Sequence, residues 1–223
     1  MQSLKKLKSA IKNDTFLVSL MAVNNETGAV NPIEEVGKTL KQYPKIIFHV
    51  DATQAMGKVD IDYSDVDLIS YAGHKIHCLN GCGALIKRNN IELVPVLTGG
   101  GQEFGLRSGT NDVALAASLS KATRLAFENQ KSNYDYVMKL YKTTREYFET
   151  YPDLYDINSY SLTNPYVLNV SLRTKKASVV VEGLSNENIM VSSISACHSK
   201  GEPISEVIKA MGKDEHSYRN TIR

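Results

Sequence analysis

Long apolar runs, net charge and cysteines are all scarce or absent in this chain of 223 residues, and each scarcity argues against a class of protein. It has no run of about 18 consecutive apolar residues, so nothing predicts a membrane-spanning helix, and its first residues lack the apolar stretch of a secretory signal. Its net charge is only +2, without a clustered basic stripe, so we expect neither a nucleic-acid nor a membrane partner. Its cysteines number only three, which argues against a disulfide framework and favours a reducing, cytoplasmic location.

Strand-like and helix-like segments alternate in the first part of the chain. The runs "TFLVSLMAV", "KIIFHV" and "VDLISYA" are typical of buried strands, and "PIEEVGKTLKQY" of a helix with Pro32 in its first turn. Strands that alternate with helices favour an α/β fold with a largely parallel sheet.

The second part of the chain begins with helical patterns and then returns to mixed ones. We expect helices over about 111–130 and 133–150, strands at "PYVLNVSL" and "NIMVSS", a helix or strand at "SVVVEGL", and a helix at "PISEVIKAMG". These patterns predict a large domain over 1–130, a connecting helix over 131–150 and a smaller α/β domain over 151–223.

Polar clusters follow three of the predicted strands, at "NNETG" (24–28), "DATQ" (51–54) and "GHK" (73–75). In open α/β sheets a ligand sits beyond the carboxyl ends of the strands. Asp51 and Lys75 could therefore meet over one ligand, and pyridoxal phosphate (PLP) needs such an acid and such an amine. In isolation, Asp51 could equally cap a helix and Lys75 could be a solvated surface charge.

A metal site is the alternative for the segment around Lys75. The side chains of His74, His77, Cys78 and Cys82 are of types that bind zinc, but their spacing, H-x2-H-C-x3-C, is not a standard zinc arrangement. Cys82 lies within "GCGALI", where a small buried thiol is the simpler interpretation. We therefore expect no metal here, and place His77 and Cys78 among the loop residues.

Five stretches of the chain resemble the cysteine desulfurases, in the class V aminotransferase group of fold-type I PLP enzymes. In the family's order they are "NNETGAVNPIEEVG", "HVDATQAMGKVDID", "YAGHKIHCLNGCGALIKR", "GGGQEFGLRSGT" and "SACHSKGEPISEVIKAMG". Any one of them alone would be weak evidence, but five in order are specific. The resemblance runs from about Leu4 to Arg223, and implies part of a fold-type I large domain followed by a smaller α/β domain.

The resemblance implies a PLP site on the large domain. Lys75 corresponds to the lysine that forms the Schiff base with PLP and moves protons, and Asp51 to the acid that pairs with the pyridine nitrogen. His74 is implied to lie beside the cofactor phosphate as a catalytic neighbour of Lys75, and Gln54 and Asn25 near the phenolic oxygen of the ring.

The resemblance also implies the remaining parts of the reaction. Thr110, in "RSGT", corresponds to the threonine that reaches the phosphate of the neighbouring subunit in a homodimer. Arg223, with Asn25, is implied to bind the carboxylate of the substrate, L-cysteine. Cys197, in "SAC", corresponds to the thiol that takes the sulfur, which leaves alanine and an enzyme persulfide for a sulfur-acceptor or scaffold protein in iron–sulfur cluster or thiolation pathways.

Two departures from the family pattern qualify this prediction. Ala72 stands where family members usually carry a hydroxyl that donates to the cofactor phosphate. The chain also begins partway through the family's large domain. We therefore expect an incomplete chain that turns over little cysteine alone and pairs with a complementary N-terminal half or a second copy.

Three alternatives remain at this stage. The chain could be a non-catalytic remnant that acts as an interaction partner, another class V enzyme such as a selenocysteine lyase or an aminotransferase, or a zinc-binding module. The thiol at Cys197 favours desulfuration, because an aminotransferase needs no nucleophilic cysteine.

Overall fold

The computed structural model describes residues 2–160, 164–193 and 204–223. It divides into two compact units, and a short segment that interrupts the first unit in the sequence belongs to the second unit. The first unit runs to Ala22 and resumes over Asn31–Gln130, and the second combines Val23–Val30 with Lys131–Arg223.

The first unit contains a four-stranded mixed sheet in the order β1-β2-β3-β4. Strands β1 to β3 are parallel to one another and β4 runs antiparallel to β3, so the predicted α/β fold with a largely parallel sheet is confirmed. The strands are β1 (Leu17–Met21), β2 (Ile47–Asp51), β3 (Leu68–Ala72) and β4 (Gly83–Lys87), and the helices are α1 (Gln2–Ala10), α2 (Ile33–Leu40) and α3 (Val113–Glu128).

The core of the first unit lies between the sheet and its helices. Phe48 and Val50 alternate along β2 with more exposed residues and are almost completely buried. Helix α2 turns Ile33, Val36 and Leu40 inward, which are the residues that helical spacing puts on one face.

The second unit contains a three-stranded antiparallel sheet in the order β5-β6-β7. Its elements are α4 (Gln130–Glu149), β5 (Tyr155–Ile157), β6 (Val170–Leu172), α5 (Ala177–Asn186), α6 (Glu206–Ala210), α7 (Glu215–Arg219) and β7 (Thr221–Ile222). Val170, Leu172, Ala177 and Ile222 form its apolar core.

The prediction of a strand at "NIMVSS" is wrong. Ile189 and Met190 are exposed, and only Ser193 pairs with a strand residue, through one isolated bridge to Ile222. Asn188, at positive φ just after α5, turns the chain at this point. The segment "SVVVEGL", for which helix and strand were both open, is helical and belongs to α5.

Among the described helices, none combines the length and the apolar character that crossing a membrane requires.

Candidate active site

Asp51 and Lys75 leave neighbouring strands at the same edge of the first sheet. Asp51 is the last residue of β2, and its Cα pairs with that of Ser70 in the parallel strand β3. A short 3-10 turn, Gly73–Ile76, follows β3 directly and carries Lys75. The acid and the amine that the sequence predicted to share a ligand therefore lie beyond the carboxyl ends of adjacent parallel strands.

The carboxylate of Asp51 remains accessible while its own turn orients it. The main-chain N–H of Thr53 donates to Asp51 Oδ1 at 2.8 Å, and the side chain is exposed. One carboxylate oxygen is thus held by the turn, and the side chain can still pair with a protonated ring nitrogen.

The turn that carries Lys75 is tightly packed at its first residue. Gly73 donates its N–H to the carbonyl of Cys82 at 2.9 Å and accepts from the N–H of Cys78 at 3.1 Å. A Cβ on Gly73 would lie 3.0 Å from the Cβ of Cys78, which is closer than most side chains tolerate. His77, in the left-handed region at φ 64°, ends the turn. The position of Lys75 therefore depends on the loop that returns to β4.

The other predicted cofactor residues of the first unit lie in turns and loops. Gln54 is half-buried in the turn after β2, and His74 is exposed beside Lys75. Thr110 is exposed in the glycine-rich loop just before α3, which is capped by Asp112 through a hydrogen bond from the N–H of Leu115.

Lys58 is a residue near the candidate site that sequence analysis missed. Burial lowers the pKa of its ammonium, and the positive charge of Lys75 lowers that pKa further. The positive charges of Lys58 and Lys75 are therefore close enough to repel each other. Its only signal in the sequence is its place in "AMGKVDID", a few residues after the predicted strand end.

Asn25 and Arg223 meet in the second unit, although 198 positions separate them. Arg223 Nη1 donates to the main-chain oxygen of Asn25 at 2.6 Å. The backbone of Arg223 is fixed as well, because it exchanges two hydrogen bonds with Ser192, at 2.8 and 3.0 Å. The two residues predicted to bind the substrate carboxylate are therefore neighbours.

Two close contacts hold the Asn25 segment in the second unit. Gly28, at φ 75°, approaches the main chain so closely that a Cβ there would lie 3.0 Å from the carbonyl oxygen of Val167. The hydroxyl of Ser159 donates to the carbonyl of Thr27 at 2.7 Å. Glycine is required at position 28 by both the backbone conformation and the space.

A buried polar network holds β7, the strand just before Arg223. Thr221 Oγ1 and Asn158 Nδ2 both donate to Asn169 Oδ1 at 2.7 Å, and Asn158 Nδ2 also approaches Ser171 Oγ at 2.7 Å. All four side chains are almost fully buried, and among the described residues Asn158 Oδ1 and Asn169 Nδ2 find no partner. Because a buried hydroxyl is costly to leave unpaired, the bond from Thr221 attaches β7 to the chain at the start of β6.

Cys197, the predicted nucleophile, lies outside the described residues. The described chain on its C-terminal side is anchored by Ser205, whose hydroxyl donates to Glu26 Oε2 at 2.5 Å and caps α6 by accepting from the N–H of Ile208 at 3.0 Å. Glu26 belongs to the same "NNETG" segment as Asn25. The sequence singled out this segment, but gave no role to Glu26.

The chemistry of the residues at the sheet edge fits PLP. Lys75 provides an amine and Asp51 a carboxylate, the two groups that a pyridine aldehyde needs for covalent attachment and for protonation of its ring nitrogen. Ala72, the last residue of β3, provides no side-chain hydrogen bond at the start of the turn.

The residues considered as zinc ligands include one close pair, Cys78 and Cys82, whose sulfurs lie 3.3 Å apart. Within the described residues, no group of three or more histidine, cysteine or acidic side chains is arranged to hold a metal.

A mostly parallel sheet with an acid and a lysine at the ends of adjacent strands is typical of α/β proteins that bind a ligand at the carboxyl edge of the sheet. The model of the family "Aminotransferase class-V" matches residues 1–221. The chain belongs to the class V aminotransferase family, whose members depend on PLP.

Several relatives carry cysteine desulfurase names. The chain is 39% identical to the mitosomal cysteine desulfurase of Trachipleistophora hominis over 233 residues, covering 99% of this chain and 51% of that protein. It is 36% identical to the cysteine desulfurase IscS of Glaesserella parasuis, covering 98% of this chain and 54% of that protein. The chain thus spans about half the length of the curated relatives it matches.

Solved structures share the fold over nearly the whole chain. A NifS-like protein from Rickettsia africae superposes with a TM-score of 0.87 at 31% identity, covering 99% of this chain and 59% of that one. The structure described as SspA in complex with cysteine gives a TM-score of 0.76 at 33% identity, covering 98% and 61%. The predicted fold-type I relationship is confirmed.

Proposed function

We propose that this chain forms part of a PLP-dependent cysteine desulfurase, which removes sulfur from L-cysteine and leaves alanine and an enzyme persulfide. The observation that carries the proposal is the hydrogen bond from Arg223 to Asn25 at 2.6 Å, because the resemblance assigns both residues, from motifs near opposite ends of the chain, to the substrate carboxylate. The names of the relatives support the same activity.

The residues divide the work of binding and proton transfer. Lys75 would hold PLP covalently and would move a proton with its amine. Asp51 would keep the ring nitrogen protonated, and His74, Gln54 and Asn25 would contact the cofactor. When bound, PLP withdraws electrons from the substrate carbon next to the amine.

Substrate recognition and sulfur transfer involve residues of the second unit. Arg223 holds the substrate carboxylate, for which a planar guanidinium offers two parallel donors. The thiolate of Cys197 attacks the substrate sulfur. A sulfur–sulfur bond forms as the carbon–sulfur bond breaks, and the substrate carbon takes up a proton to become alanine.

The partners that we propose follow from the length of the relatives. The active enzyme contains the family region that lies outside these 223 residues. The chain pairs either as a homodimer, in which Thr110 contacts the phosphate of the neighbouring subunit, or with a complementary N-terminal half. A sulfur-acceptor or scaffold protein receives the persulfide. We place the protein in the cytoplasm, where its three cysteines are kept reduced.

The test is a cysteine-dependent sulfide and alanine assay with PLP, run with and without a chain that supplies the remaining family region. We expect turnover only with both chains, and its loss in Lys75→Ala and Cys197→Ser. Bound PLP should also give a visible absorption band that Lys75→Ala removes. If the paired chains bind PLP at Lys75 without producing sulfide, the desulfurase proposal is wrong and the chain acts as a non-catalytic partner or in another class V reaction.

A further inference from the structure

Cys78 and Cys82 form a pair of thiols immediately after the residue predicted to bind PLP. Their sulfurs lie 3.3 Å apart, and both are free cysteines. A disulfide requires a separation of about 2.05 Å, so the two sulfurs must approach by little more than 1 Å. Neither residue has a part in the proposed reaction.

The two thiols differ in accessibility, which defines an order of reaction. Cys82 is half-exposed and its sulfur lies 3.5 Å from the carbonyl of Leu79. Cys78 is buried against Ile76 and Ala122, and its sulfur also approaches Ser118 Oγ at 3.3 Å. A reagent in solution therefore meets Cys82 first, and Cys78 is placed to attack afterwards.

The backbone joins this pair to Lys75. Gly73, two residues before Lys75, donates to the carbonyl of Cys82 and accepts from the N–H of Cys78. The two cysteines also fill the space beside Gly73, because a Cβ on Gly73 would lie 3.0 Å from Cys78 Cβ and 3.1 Å from the Cys82 carbonyl oxygen. A main-chain shift at either cysteine on disulfide formation would therefore pass directly to Gly73, at the start of the turn that holds Lys75.

We propose that Cys78 and Cys82 form a reversible disulfide by exchange with small disulfides of the glutathione type, and that this disulfide changes the reactivity of Lys75. The Cys82 thiolate attacks one sulfur of the small disulfide, forms a mixed disulfide and releases the first small thiolate. The Cys78 sulfur then attacks the Cys82 sulfur and releases the second. Two protein thiols are oxidised, the small disulfide is reduced to two thiols, and these take up the two protons.

The first experiment detects the disulfide itself. The 223-residue chain carrying Cys197→Ser is incubated with oxidised glutathione and digested with trypsin without reductant, which places both cysteines on the peptide Ile76–Lys87. We expect this peptide to lose two hydrogen atoms, to carry no glutathione, and to return to its original mass with dithiothreitol. Cys78→Ser should instead retain glutathione on Cys82, and Cys82→Ser should remain largely unmodified.

Three outcomes would overturn the disulfide. The parent chain could keep glutathione on Cys82, which would mean that Cys78 does not attack. Its two thiols could stay free under conditions that fully modify Cys78→Ser. Both chains could also stay unmodified, which would mean that Cys82 is not accessible to the reagent.

The second experiment tests the effect on Lys75 and has a readout other than turnover. Reduced and oxidised chains are treated with PLP and cyanoborohydride, which leaves disulfides intact, and the pyridoxyl group trapped on Lys75 is quantified against that on Lys131, an exposed lysine of α4. We expect the trapping rate at Lys75 to change by about threefold or more and that at Lys131 to stay constant. The double variant Cys78→Ser, Cys82→Ser should show no response to the oxidant.

An unchanged rate at Lys75 in a chain that has formed the disulfide would refute the coupling. This part of the inference rests on the proposed binding of PLP to Lys75, whereas formation of the disulfide does not. A failure of the proposed function, seen as no trapping at Lys75 in the reduced chain, is therefore distinguishable from a failure of the disulfide.

Discussion

The hydroxyl of Ser205 donates to the carboxylate of Glu26 at 2.5 Å and joins two segments that lie 179 positions apart. Ser205 is buried and also caps α6, so one side chain connects the "NNETG" segment to the described chain that follows the Cys197 region. The contact attaches the described chain from residue 204 onward to the segment that carries Asn25.

We predict that Glu26 and Ser205 are energetically coupled. Ser205→Ala removes the cap and a charged hydrogen bond and should lower the free energy of unfolding by about 1.5–3 kcal/mol. Glu26→Ala should lower the free energy of unfolding by less than Ser205→Ala does. The double variant should lower it by less than the sum of the two single variants, because both single changes break the same hydrogen bond. Urea denaturation of the four chains measures the coupling. Glu26→Gln, which keeps an acceptor, is the matched control, and strict additivity would contradict the prediction.

Thr221 tests the buried network behind Arg223. Thr221→Val has nearly the same shape but cannot donate to Asn169 Oδ1, so we expect the free energy of unfolding to fall by about 1–3 kcal/mol. Thr221→Ser keeps the hydroxyl donor and loses only a methyl group, so it should lower the free energy of unfolding by only about 0.8 kcal/mol. An unchanged free energy of unfolding in Thr221→Val, together with a loss in Thr221→Ser, would show that packing, and not the hydrogen bond, is what holds β7 here.

The sequence predicts the order of strands and helices well because burial imposes a period on each element. Phe48 and Val50 of β2 and the inward face of α2 can be recognised by that period alone. It cannot reveal that 23–30 belongs to the second unit, since that grouping depends on contacts of Asn25 and Gly28 with residues more than a hundred positions away.

The candidate site was predictable where strand ends determine it. Asp51 and Lys75 follow strands whose parallel pairing brings their ends to one edge, which the alternating pattern indicates. The sequence predicts Cys82 as a small buried thiol and Cys78 as a loop residue, with metal ligation as the alternative. It does not predict their pairing, because the spacing of two cysteines does not give the distance between their sulfurs. The roles assigned to all the site residues, Asp51 and Lys75 included, stay predictions.

Ala72 allows a gain-of-function test of the cofactor site. The family usually has a hydroxyl here that donates to the phosphate, and a donor to a charged group is worth about 1.5–3 kcal/mol. We therefore expect Ala72→Ser to tighten PLP binding about tenfold in the assembled enzyme, measured by titration of the absorption band of bound PLP. Ala72→Gly, which changes the same position without adding a donor, should not tighten it, and equal affinities of Ala72→Ser and the parent would contradict the prediction.

Cys82 should react with electrophiles slowly near pH 7 and faster as the pH rises. Its hydrogen bond with Cys78 is the main cause that raises its pKa, followed by burial and by the nearby charges of Cys78 and Asp112. A raised pKa keeps the thiol protonated near pH 7, so its rate of alkylation by iodoacetamide should climb about tenfold per pH unit until the pH passes that pKa. Cys78→Ala removes the main cause and should move the midpoint of the rate profile to lower pH, which makes Cys82 faster at pH 7 in a Cys197→Ser background. If the two profiles coincide, the sulfur–sulfur contact does not raise the pKa of Cys82, and the prediction is wrong.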